Sequence, residues 1–99
     1  MSVEIHFFSR AEKNIADAFS YYENESHGLG EALLMVVEDA IKNISDFPEM
    51  YQKVYGDLRR ARVHRFPYAV FYLYEQGEAI ILNVLNTRQD IDSLFDESH

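Results

Sequence analysis

Apolar and polar residues alternate from Val3 to Phe8, with Val3, Ile5 and Phe7 on one side and Glu4, His6 and Phe8 on the other. A period of two predicts a half-buried strand. From Ser9 the period lengthens. Ala11, Ile15, Ala18, Phe19 and Tyr22 recur at helical spacing and predict an amphipathic helix that fades near Glu25. Ser9-Arg10-Ala11-Glu12 reads as a capping box at its start. The serine oxygen would accept from the third helical amide, and Glu12 would reach back.

Ser26-His27-Gly28-Leu29-Gly30 predicts a turn, its two glycines allowing the positive φ angles that reverse the chain. A second helix is expected from Leu29 to Phe47. Leu33, Val36, Val37, Ala40, Ile41 and Ile44 form its apolar face, and Pro48 ends it. Glu49 to Asp57 reads as a loop anchored by Met50, Tyr51, Val54 and Tyr55. Strands are expected at Leu58–His64, Tyr68–Tyr74 and Ala79–Leu85, with a reversal at Arg65-Phe66-Pro67 and a hairpin at Glu75-Gln76-Gly77-Glu78. Asn86 to His99 is a polar stretch, acidic from about 89 to 99, in which Ile91, Leu94 and Phe95 are candidate docking residues. The order is β-α-α-β-β-β. The economical architecture is α+β, a helical hairpin packed on one face of a small, mainly antiparallel sheet, as one domain over residues 1–99.

Charge changes this picture at one place. Leu58 to Tyr74 holds four arginines and no acid, inside a chain of net charge −8. Alternation puts Ala61 and Val63 on one face and Arg60, Arg62 and His64 on the other. Arg59 and Arg65 stand at the strand ends, Arg59 in the core-facing phase, and Arg88 lies just past the last strand. Such a row suits a carboxylate-rich partner or a phosphate, because guanidinium makes planar bidentate bonds to either. The net acidity argues against broad nucleic-acid binding, which needs many cations on phosphate.

Other chemistry is thin. There is no cysteine, which removes disulfides and thiolate sites. None of the four histidines has metal-ligand spacing with another, so no metal and no cofactor are expected. Neither a phosphate loop nor a catalytic triad can be read from spacing. No stretch is long enough to span a bilayer and no signal peptide is visible, which predicts a cytoplasmic protein.

Several motifs resemble the RelE/ParE superfamily of type II toxins, most closely its ParE-like, plasmid-stabilisation branch. Ala18, Tyr21 and Tyr22 match the end of its first helix, and Gly28-Leu29-Gly30 its turn. Val37-Glu38, Ala40, Ile44 and Pro48 match the second helix and its stop. Arg59-Arg60-Ala61, Arg65-Phe66-Pro67-Tyr68-Ala69-Val70-Phe71-Tyr72 and Val84-Leu85-x-x-Arg88 match the strands. The likeness runs from Ala11 to Asp90 and implies the same β-α-α-β-β-β fold.

The resemblance implies a toxin neutralised by a cognate antitoxin, with DNA gyrase inhibited by protein contact. Arg59, Arg60, Arg62, His64, Arg65 and Arg88 would bind antitoxin or target, and no residue is assigned to catalysis. A second reading is a RelE-like mRNA endonuclease. It is disfavoured because Asn86 stands where many relatives carry histidine, and an amide cannot shuttle a proton. A third is a non-toxic binding module. A sheet edge on so small a domain also invites a homodimer.

Overall fold

The computed structural model describes residues 2–88. The predicted acidic tail and its Ile91, Leu94 and Phe95 lie outside the described residues. The elements are β1 (Glu4–Phe7), α1 (Ser9–Glu25), α2 (Leu29–Asp46), β2 (Lys53–Tyr55), β3 (Leu58–Arg62), β4 (Tyr68–Glu75) and β5 (Glu78–Asn86). They build one sheet of order β1-β5-β4-β3-β2. Only β1 pairs in parallel, with β5; the other pairings are antiparallel. The expected α+β arrangement is present, with one addition. Lys53 to Tyr55, read as loop from sequence, pairs with β3 and forms the edge strand. At three residues, with one half-buried position, it is too short for alternation to reveal it.

Both helices press on one face of the sheet. Leu33, Val37, Ala40 and Ile44 of α2 meet Ala11 and Ala18 of α1 and the inward residues Ala61, Val70, Tyr72, Ala79, Ile81 and Val84. The two alanines leave α1 thin where it crosses its neighbours. Gly30 does the same for α2: a Cβ there would lie 2.7 Å from the Phe19 carbonyl oxygen. Sequence reading assigned both glycines to the turn. In the fold only Gly28 has positive φ, at 88°, and Gly30 is a buried contact inside the helix.

The capping box does not form. Phe8, not Ser9, is the N-cap, and no side chain caps the helix. The Phe8 N–H donates to Ile81 O at 2.9 Å, so strand pairing continues to Phe8. Its own carbonyl then accepts from Ala11 and Glu12. The α2 start is instead capped by Glu23 of α1, whose two oxygens accept from Gly28 N (3.0 Å) and Gly30 N (2.9 Å). These bonds, with His27 beside it, hold the Glu23 carboxyl below its ordinary range against a smaller opposing effect of desolvation.

β5 carries a bulge. Tyr72 pairs with Ile81 and Phe71 with Asn83, leaving Leu82 as the extra residue. The shift of phase lets Val84 face the core after Ala79 and Ile81. Side chains of α1 take up the backbone groups this disturbs: Arg10 Nε donates to Leu82 O (3.2 Å), and Asn14 Oδ1 accepts from Val84 N (3.1 Å).

Candidate binding face

Both helices cover one face of the sheet, and among the described residues no helix covers the other. The register decides what that open face carries. Arg60 lies opposite Phe71 and Arg62 opposite Ala69, while Ala61 lies opposite Val70 in the core. Paired residues point the same way, so Arg60 and Arg62 rise beside Phe71 and Ala69 on the helix-free face. Phe71 (4% exposed) and Ala69 (0%) form a close-packed floor. Met50, Tyr51, Gln52, Arg60 and Arg62 wall a shallow groove of about 330 Å³ here. Met50 is 60% exposed and Tyr55 of the edge strand 62%, so the surface around the arginines is partly apolar.

The sequence-predicted residues separate into three settings. Arg60 and Arg62 form the row on β3. His64, Arg65 and Arg88 gather at one end of the sheet. The first two lie in the bend after β3, and Thr87 N donates to Pro67 O of that bend at 2.7 Å, which brings the chain at Arg88 alongside. Arg65 holds φ at 74°, a left-handed value uncommon for a side-chain-bearing residue, with its guanidinium 5.9 Å from the Phe66 ring centre. Arg59 stands apart. It occupies the core-facing phase, and its guanidinium donates to the carbonyls of Glu49 (3.1 Å) and Tyr51 (2.7 Å). It fastens the segment between α2 and β2 that walls the groove.

Among the described residues Arg60, Arg62, His64, Arg65 and Arg88 form no ion pair with any carboxylate. The described residues hold 13 of the chain's 17 acids, so this is informative. No carboxylate of the described residues neutralises these cations.

A second hollow, of about 240 Å³, opens between α1 and the ends of β4 and β5, where a nuclease centre would be sought by resemblance. Its walls include Asn14, Asp17, Tyr21, Tyr68 and Asn86. Asn86 Oδ1 accepts from Arg88 N at 2.8 Å, and its side chain also bonds Tyr68. Burial, then neighbouring Tyr22, pushes the Tyr68 phenol above its ordinary value, so it stays protonated near neutrality. Among the described residues no cation lines this hollow, and Asp17 would repel phosphate. Tyr21, Tyr22, Phe66 and Tyr68 form an edge-to-face cluster at its side.

Sequence spacing missed the groove wall, Met50 to Gln52, because it comes from the unrecognised edge-strand region. It also missed a grouping of His6 with Glu4 and Glu78, whose ligand atoms lie within 4.8 Å of one another. Glu78 is far along the chain, and only strand pairing brings it there.

Comparison with known proteins agrees with this architecture. Solved structures that share the fold include chains from toxin–antitoxin systems. A chain of the chromosomal ParDE system from P. aeruginosa is similar at TM-score 0.65 and 13% identity, over 86% of this chain and 96% of that one. A chain of the RelBE2 complex from Mycobacterium tuberculosis gives TM-score 0.63 and 18% identity, over 87% and 99%. One from the RelB–RelE complex of Methanococcus jannaschii gives 0.54 and 16%, over 93% and 96%. No curated protein matches the chain by sequence. The family model for the ParE toxin of the type II toxin–antitoxin system, parDE, matches residues 5–91. The chain therefore belongs to the ParE toxin family. No helix among the described residues is long and apolar enough to cross a membrane.

Proposed function

We propose that this chain is the toxin of a type II toxin–antitoxin pair, acting in the cytoplasm as one domain and neutralised by a cognate antitoxin. Arg60 and Arg62, extended by His64, Arg65 and Arg88, receive carboxylates of the antitoxin or the target, and Arg59 holds the groove wall in place. The target is engaged by protein–protein contact, with DNA gyrase as the protein inhibited. The observation that carries this reading is the arginine row on the face opposite the helices, which meets no carboxylate among the described residues. The half-buried Arg60 and the exposed Arg62, beside Phe71, Met50 and Tyr51, suit a segment that alternates acidic and apolar residues. The hollow at Asn86 speaks against the RelE-like endonuclease, since it offers Asp17 and a protonated Tyr68 where phosphate chemistry needs cations and a poised acid–base group.

Induction in bacteria tests this directly. Filamentation with a DNA-damage response is expected, and Arg60→Ala/Arg62→Ala should abolish it while the protein stays folded. Prompt loss of translation with cleaved mRNA would overturn the target in favour of the nuclease. Verified expression without a growth defect would overturn toxicity itself. Toxicity that survives the double variant unchanged would remove the arginine row from the site.

A further inference from the structure

The helix-free face has a second charged centre, two strands from the arginine row. On β1, Glu4 and His6 lie on the opposite side of the strand from Ile5, which packs on the core. β1 runs parallel to β5 with Glu4 opposite Glu78 and His6 opposite Ile80. The imidazole Nε2 lies 2.6 Å from a Glu78 oxygen and 3.8 Å from a Glu4 oxygen. Register sets another carboxylate, Glu75 of β4, opposite Glu78. Like charges in directly opposed positions repel. Among the described residues no lysine or arginine pairs with any of the three, so His6 is their only paired basic group.

We infer that Glu4, His6 and Glu78 form a surface site for a divalent transition cation of the zinc class. One imidazole nitrogen and two carboxylate oxygens are a mixed donor set that suits zinc, whereas magnesium and calcium favour oxygen throughout. Tetrahedral coordination at about 2.0–2.2 Å places ligand atoms about 3.3–3.6 Å apart. The His6–Glu78 contact opens slightly to reach this, and the His6–Glu4 contact closes slightly. The Glu4, His6 and Glu78 side chains are 77%, 51% and 46% exposed, so the ion enters directly and water completes its shell. The bound cation replaces repulsion by attraction and ties the parallel edge strand β1 to β5. This site is independent of the arginine row and of any toxin activity.

The test uses the full chain, melted with and without zinc chloride, and with magnesium chloride as the comparison. Saturating zinc is expected to raise the melting temperature by about 4–8 °C and to shift the His6 ring resonances, while magnesium does neither. His6→Ala should remove the rise. His27→Ala should keep it, which separates the site from the other histidine–glutamate contact at Glu23. Should His6→Ala fail to fold, Glu78→Gln serves, with zinc affinity expected to fall at least about tenfold. No rise with zinc, an equal rise with magnesium, or a rise retained in His6→Ala or with undiminished affinity in Glu78→Gln overturns the site.

Discussion

Tyr72 shows how one side chain joins the layers of this protein. It is fully buried, its hydroxyl donates to Pro48 O at 2.7 Å, and its ring meets Tyr51 edge-on. The bond satisfies a carbonyl at the end of α2, so Tyr72→Phe should destabilise the fold by about 1–2 kcal/mol in urea unfolding. Burial pushes the Tyr72 phenol up to about 12, a shift that Arg59 moderates. A pKa raised in the folded state favours the neutral phenol. Its stabilisation is therefore complete below pH 10 and is lost as pH climbs toward about 12. Unfolding midpoints should fall across that window, and fall less in Tyr72→Phe. Glu23 behaves oppositely. Its lowered pKa gives stability that is present above the ordinary value of 4.5 and is lost as acid protonates it. Glu23→Gln should flatten the acid limb of the stability curve. Sequence offered no sign of this capping role, because Glu23 reads there as one more polar residue near a helix end.

At the scale of elements, the β4–β5 hairpin was legible and the β5 bulge was not. Gln76 and Gly77 both have positive φ, at 52° and 78°, the two-residue turn that the Gly77 signal implied. Asparagine tolerates the first position better than glutamine, so Gln76→Asn should raise stability by about 0.5–1 kcal/mol. The bulge needs Asn14 of α1 to accept from Val84 N. Asn14→Ala should cost about 1–3 kcal/mol in chemical denaturation, since a part-buried amide loses its partner. Strict alternation would have put Asn83 inward. A single extra residue reverses the phase, and nothing in the hydrophobic pattern marks its place.

Over the whole molecule, the helix-free face is divided. Glu4, Glu78 and Glu75 occupy the β1–β5–β4 corner, and Arg60 and Arg62 lie across the sheet on β3. The net charge of −8 thus conceals two local fields of opposite sign on this face. An acidic partner segment should meet the arginine side with an association rate that falls as salt rises, and Arg62→Glu should slow that association at low ionic strength. Stopped-flow measurement against the cognate antitoxin reads both effects.

The sequence by itself determined the two helices, most strand positions, the face of the arginine row and the family signature. Each is written in local period or local spacing, which survives without knowledge of neighbours. Tertiary structure alone decided the edge strand β2, the Gly30 contact with Phe19, the fastening of Arg59 to the Glu49 and Tyr51 carbonyls, and the meeting of His6 with Glu78. These depend on which distant backbones become adjacent. Pairing register and close packing fix that only when the sheet and the helical hairpin come together.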